Sequence, residues 1–205
     1  MKVLLINGSP HREGITAIAL REVQKTLETD GIETELIHIG HKDIHGCIAC
    51  YKCYTTGKCV FNDVVNEIAP KFEAADGLIV GTPVYYAAPA GTVVSFMNRL
   101  FYSTHFDKTM KVGASVVVAR RGGCSASFDV LNKYFYICGM PIATSQYWNS
   151  VHGREPGEAV EDLEGMQTMR TLGHNMAFLL KSIAIGKQQF GLPQKEDVVR
   201  TNFIR

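Results

Sequence analysis

The sequence predicts an α/β fold, an open five-stranded parallel sheet in the order 2-1-3-4-5 held between two layers of helices. Three observations predict it. The runs KVLLING, GLIVGTP and KVGASVVVA are almost continuously apolar, as strands covered on both faces must be. Segments of helical periodicity alternate with them, the pattern of parallel strands joined by crossover helices. Five strands with one ligand crevice fit the doubly wound order in which the chain reverses direction beside its first strand.

Taken in order, residues 2–8 form the first strand. Thr16, Leu20, Val23 and Leu27 then recur at four-three-four spacing along one helix face, and the segment stops at Asp30-Gly31. Residues 33–39 read as a weaker second strand and 77–83 as the third, followed by a helix over 90–102. The fourth strand spans 111–119, a helix follows over 125–138, and 141–148 reads as a weaker fifth strand. Leu163, Met166, Met169, Leu172, Met176, Leu179 and Ile183 mark the last helix, its methionines read as core packing. Residues 1–185 thus read as one domain, and 186–205 as a tail packed on it or on a neighbouring subunit.

The 205 residues are 46% hydrophobic and carry a formal net charge of +1, with no long run of one sign. That argues against nucleic acid or an anionic membrane as partner and for a small ligand. No apolar run approaches a signal-peptide core or a membrane span, so a cytoplasmic protein is expected. Stable disulfides are rare there, and the four cysteines of GCIACYKCYTTGKC read as metal-binding or redox-active.

Ligands of such sheets lie outside the carboxyl ends of the strands, and three loops there carry chemistry. NGSPHREGITA, after the first strand, offers the Ser9 and Thr16 hydroxyls, the His11 and Arg12 cations and the free amides of a helix start, including that of Ile15, to an anion. It is neither a Walker loop nor a GxGxxG turn. GTPVYYAAPAG supplies a stiff wall, Pro83, Val84, Tyr85, Tyr86 and Ala87, suited to a flat conjugated ring; the acidic residue a response regulator would need at this strand end is replaced by Thr82 and Pro83. In ARRGGCSAS, Gly122 and Gly123 let backbone amides approach a planar ligand, with Arg120 beside them. Phosphate cradle, aromatic wall and amide-rich edge together describe FMN. His38, His41 and His45 read as surface or structural, Cys124 as a loop thiol and Cys138 as a core residue.

GSPHREGIT, GTPVYYAAPAG, ARRGG and the CGMP that ends the helix over 125–138 resemble the NAD(P)H-dependent FMN reductase family of flavodoxin-like proteins, and the cysteine run resembles its iron-sulfur flavoprotein branch. The resemblance extends through VHGREPGEAVEDLEGMQTMRTLG. It implies a flavodoxin-like three-layer sandwich, with Ser9, Arg12, Ile15 and Thr16 at the FMN phosphate, Pro83 to Ala87 under the isoalloxazine, and Gly122 and Gly123 at its far edge. Where the family often reads GNT this chain reads GIT, so Ile15 offers only its backbone amide.

The spacing Cys47-x2-Cys50-x2-Cys53-x5-Cys59 is compact enough for one cubane and fits structural zinc less well. A 4Fe-4S cluster, zinc, and free or redox-active thiols all remain open readings. The activity implied is hydride transfer from NADH or NADPH to FMN and onward to flavin, quinone or another small acceptor. The alternative is an electron carrier linking a 4Fe-4S cluster and FMN to a ferredoxin-like partner. Tyr51, Tyr54, Tyr147 and Trp148 exceed what the core consumes, and with the family's habit they imply a homodimer or homotetramer.

Overall fold

In the computed structural model, which describes residues 1–203, Val3 to Ile6 are fully buried and point alternately to the two faces of the sheet. Val3 and Leu5 enter one core, Leu4 and Ile6 the other. This is why the run shows no polar alternation: both faces are covered. Strand β1 (Lys2–Asn7) lies between β2 (Glu33–His38) and β3 (Gly77–Tyr85), parallel to each. β3 turns back into a two-residue strand, β4 (Ala88–Pro89), and pairs on its other side with β5 (Val112–Ala119). A short parallel strand, β6 (Ser150–His152), completes the sheet.

The order is β2-β1-β3-β5-β6 with β4 to one side. The five parallel strands therefore keep the expected 2-1-3-4-5 order, and the sixth is an antiparallel extension of the third. The fifth parallel strand lies later than expected. Within 141–148 only Ile142 bridges to the sheet, and the ladder resumes at Ser150.

Helices α1 (Ile15–Thr29) and α6 (Leu163–Phe190) cover the face of Val3 and Leu5. The other face is covered by α3 (Val64–Ala74), α4 (Gly91–Ser103) and α5 (Cys124–Ile137), with one turn of helix, α2 (Cys53–Thr56), in the cysteine segment. The sequence reading gave no helix at 64–74. Asp63 caps it by accepting the Val65 N–H at 3.1 Å, and Val64, Val65, Ile68 and Phe72 form its buried face, but Pro70 inside the pattern reads as a breaker. α6 runs unbroken across the 185/186 boundary to Phe190, so the irregular tail begins at Gly191. Lys195 ties it to Asp107 at 2.7 Å; residues 204 and 205 of the proposed tail lie outside the described residues. Among the described residues no helix is long and apolar enough to cross a membrane.

Candidate functional site

The loop after β1 is held from several sides. The Asn7 Oδ1 accepts the Ser9 N–H at 3.0 Å, its amide group donates to the Arg12 carbonyl at 3.2 Å, and the Ser9 hydroxyl accepts the His11 N–H at 3.2 Å. His38, at the end of β2, sits 2.7 Å from the Ser9 carbonyl through Nε2, and so supports the loop from behind. Gly40 makes this approach feasible: a Cβ there would stand 2.0 Å from the Ser9 carbonyl oxygen.

The loop delivers the chain into α1 with that helix's positive end bare. Gly14 is the N-cap, no side chain caps it, and the first turn has no acidic residue. Among the described residues the Ile15 and Thr16 amides have no acceptor. Such an end favours an anion. Glu13, a carboxylate in the same loop, is paired with Arg21 at 2.5 Å, and the Arg21 hydrogen bond holds it below the usual carboxylate range.

The cleft beside this helix start has a volume of about 740 Å³ and is lined by Ser9, His11, Arg12, Ile15, Thr16, Pro83, Val84, Tyr85 and Arg120, which come from three different loops. Its size suits a cofactor-sized ligand. The sequence reading did not supply its floor and far wall, Val118, Ala119, Gly153, Arg154, Glu155 and Pro156. The signal was HGREPG, a charged, turn-rich loop at the carboxyl end of the last strand; placing that strand at 141–148 moved its end away from the loop.

Four expected residues do not line the cleft. Tyr86 and Ala87 form the tip of the two-residue β3–β4 turn, both with left-handed φ (52° and 59°), and Tyr86 is wholly exposed. A tight hairpin of this hand needs two positive φ values, which turns the second tyrosine away from the wall and leaves Tyr85 to line the cleft. Gly122 is exposed with open space around it. Gly123, at φ 92°, packs under the hairpin: a Cβ would meet the Ala87 Cα at 2.8 Å and a Val84 methyl at 2.9 Å. It seats the wall.

Cys47, Cys50, Cys53 and Cys59 line one apolar pocket together with Tyr51, Phe61, Arg99 and Tyr102. Its free volume is only about 20 Å³. Among the described residues no group of three or more His, Cys, Asp or Glu converges tightly enough for a single metal ion. Zinc needs its ligands about 2.3 Å from one centre; a cubane spreads its four thiolates around a larger body.

Two of these cysteines are buried or clasped by neighbours, and two are exposed. Asn66 clasps Cys59 by accepting its N–H at 3.0 Å and donating to its carbonyl at 2.9 Å. Cys53 is buried, which pushes its thiol up, and its carbonyl lies 3.1 Å from His105 Nε2. Cys47 and Cys50 are exposed on an irregular segment where Ala49 and Tyr51 take left-handed φ (50° and 59°). Strain of this kind clusters at functional sites.

Arg99, from the middle of α4, holds the segment to the domain. It is 1% exposed, pairs bidentately with Asp63 at 2.6 and 2.9 Å, donates to the His45 and Phe61 carbonyls, and places Nε 3.1 Å from the Cys59 sulfur. Burial alone would lower its pKa, but the bonds to Asp63 and Cys59 outweigh that and leave it raised. Its only local signal is a cation within the apolar run SFMNRLFY. Cys138, expected in the core, is half-buried at the C-cap of α5.

A parallel sheet in this order, with a bare helix end and a ring-sized cleft at its carboxyl edge, defines a flavodoxin-like α/β protein. The chain belongs to the NADPH-dependent FMN reductase family, whose model matches residues 1–155. It is 35% identical over 191 residues to an iron-sulfur flavoprotein of Methanocaldococcus jannaschii, covering 89% of this chain and 99% of that one. An iron-sulfur flavoprotein of Methanosarcina thermophila is 31% identical over 191 residues, with 89% and 97% covered. Among solved structures, RosB with a bound 8-demethyl-8-formylriboflavin-5'-phosphate superposes with a TM-score of 0.75 at 15% identity, covering all of this chain and 92% of that one. An archaeal flavodoxin gives 0.59 at 14% identity, covering 88% and 99%. These two structures attest the fold.

Proposed function

We propose that the protein is an FMN-dependent oxidoreductase that takes electrons from NADH or NADPH and passes them to flavin, quinone or another small acceptor. One observation carries this reading: the bare start of α1, the Tyr85 wall and Arg120 meet in a single cleft of cofactor size. The residues present fit FMN. The Ile15 and Thr16 amides, the Ser9 hydroxyl and Arg12 would hold the phosphate, and Pro83, Val84 and Tyr85 would meet the ring. Bound there, FMN would supply two-electron chemistry with a nicotinamide. The protein's part is to bind and orient: the helix end and Arg12 neutralise charge, Gly123 seats the hairpin, and the Arg21 pair shields the phosphate from Glu13.

The cysteine pocket supports a second reading, an electron carrier in which a 4Fe-4S cluster and FMN serve a ferredoxin-like partner. Four cysteines on one apolar pocket, one sulfur already hydrogen-bonded by a buried guanidinium, favour it. Cys53 and Cys59 would be the preformed ligands, and the strained Cys47–Cys50 segment would move outward to admit the cluster. The relatives' names agree with both readings.

Anaerobic mixing of FMN-loaded protein with NADH, NADPH or reduced ferredoxin tests them. Fast bleaching of the flavin by a nicotinamide supports the oxidoreductase; bleaching by ferredoxin alone supports the carrier.

A further inference from the structure

Beside the cleft, a group of side chains is arranged for chemistry that neither flavin nor cluster uses. Cys124 is the first residue of α5, and its sulfur lies 3.8 Å from Nε2 of His152, the last residue of β6. The other ring nitrogen, Nδ1, lies 3.5 Å from Asp162 Oδ2. That carboxylate is itself fixed: Oδ2 accepts the His152 backbone N–H at 2.6 Å, and Oδ1 caps α6 by accepting the Gly165 N–H at 2.9 Å. A carboxylate on the Nδ1 side favours the tautomer with its proton there, the form in which Nε2 can accept a proton from the sulfur. This is the order nucleophile, base, orienting acid.

The thiol needs such a base. Burial pushes it up, so at neutral pH it keeps its proton until a neighbour removes it. Once formed, the thiolate sits at the start of α5, a helix with no acidic residue in its first turn. Cys138, at the other end of the same helix, is also half-buried and also pushed up by burial, against which the neighbouring Lys108 charge acts. The two cysteines differ in their partners.

We propose that Cys124 is a second reactive centre, a thiol nucleophile deprotonated by His152 and oriented through it by Asp162, whose substrate is a small hydroperoxide. Half-buried, the sulfur admits a small electrophile, and the single acid-base group beside it suits a leaving group that takes up one proton. Hydrogen peroxide or a small alkyl hydroperoxide meets both conditions. The sulfur attacks the terminal oxygen, the S–O bond forms as the O–O bond breaks, and the proton that His152 took from the thiol goes to the departing oxygen. Cys124 is oxidised by two electrons to the sulfenic acid, and the peroxide is reduced to water or an alcohol. Two equivalents of a small thiol restore it: the first forms a mixed disulfide and releases water, and the second displaces Cys124 as its thiol.

The test is peroxide treatment of the full-length protein, trapping of sulfenic acid with a dimedone probe, and peptide mass spectrometry with Cys138 as internal control. Cys124 should be trapped at least about tenfold faster than Cys138, and His152→Gln should abolish that advantage while Cys138 is unchanged. His152 is half-exposed and its bond to Asp162 uses the backbone, so the variant should keep the wild-type circular dichroism. Equal rates at Cys124 and Cys138, or a rate at Cys124 that survives His152→Gln, would overturn the proposal. Iodoacetamide supplies the second arm. Alkylation that depends on His152 without matching peroxide oxidation would overturn the hydroperoxide assignment.

Discussion

Replacing Arg99 by Met should cost about 3 kcal/mol of folding stability in the metal-free protein. Arg99 is essentially inaccessible, and removing one partner of a buried ion pair costs about 3–5 kcal/mol, because the other charge is left without compensation. The lower end applies here because the Asp63 side chain is 23% exposed and keeps the Val65 N–H, so water and the helix end recover part of the loss. Domains have about 5–15 kcal/mol in total, so the variant should fold with a clearly lower urea midpoint. Unfolding by far-ultraviolet circular dichroism in reductant gives the number. A double-mutant cycle with Asp63→Asn isolates the pair: Asp63→Asn should cost much less in the Arg99→Met background than in the wild type. A loss under about 1 kcal/mol for Arg99→Met, or additive losses in the cycle, would refute the claim that this pair anchors the cysteine segment.

In anaerobically reconstituted protein, Cys50→Ser should abolish bound iron and sulfide while leaving FMN content unchanged, as elemental and flavin analysis would report; wild-type iron content would remove Cys50 from the ligand set. Glu35 receives Lys71 and Lys2, whose hydrogen bonds hold its carboxyl below the ordinary 4.5. A depressed carboxylate pKa adds stability that is present above 4.5 and is lost as pH falls through the folded value, so Glu35→Gln should flatten the acid limb below about 4.5 by about 0.5 kcal/mol, discounted for exposure. Parallel pH dependences in urea titrations would contradict it. Tyr147 and Trp148 are exposed with ring centroids 4.8 Å apart. If they mark a subunit contact, light scattering should give a dimer or tetramer mass and Trp148→Ala should lower it; a single-chain mass for the wild type would end that idea.

The parallel sheet was legible because its central strands are covered on both faces, which writes itself as Val-Leu-Leu-Ile and Val-Gly-Ala-Ser-Val-Val-Val. The last strand was not. Three residues of edge ladder carry little pattern, while 141–148 carries a β-rich composition without the pairing. Helix α3 was hidden by Pro70, although Asp63 and the Val65, Ile68, Phe72 spacing were present. The cleft was half legible: hydroxyls, cations and glycines at strand ends are local signals, whereas Gly153 to Pro156 reach it only through the fold. Arg99, and the Cys124, His152 and Asp162 group, join residues far apart in sequence, which spacing alone does not reveal.

FMN is proposed to be held by its phosphate against the start of α1. Titration of flavin-free protein with FMN, followed by quenching of flavin fluorescence, tests this directly when wild type and Ser9→Asp are compared, with riboflavin as the phosphate-free control. Ser9 is 4% exposed at the loop that feeds the helix, so the new carboxylate would face the phosphate. One FMN should bind per wild-type chain, Ser9→Asp should bind FMN at least about tenfold more weakly, equivalent to about 1.4 kcal/mol, and riboflavin affinity should be the same for both. Equal FMN affinity in the two folded proteins, or an equal loss of riboflavin, would contradict it.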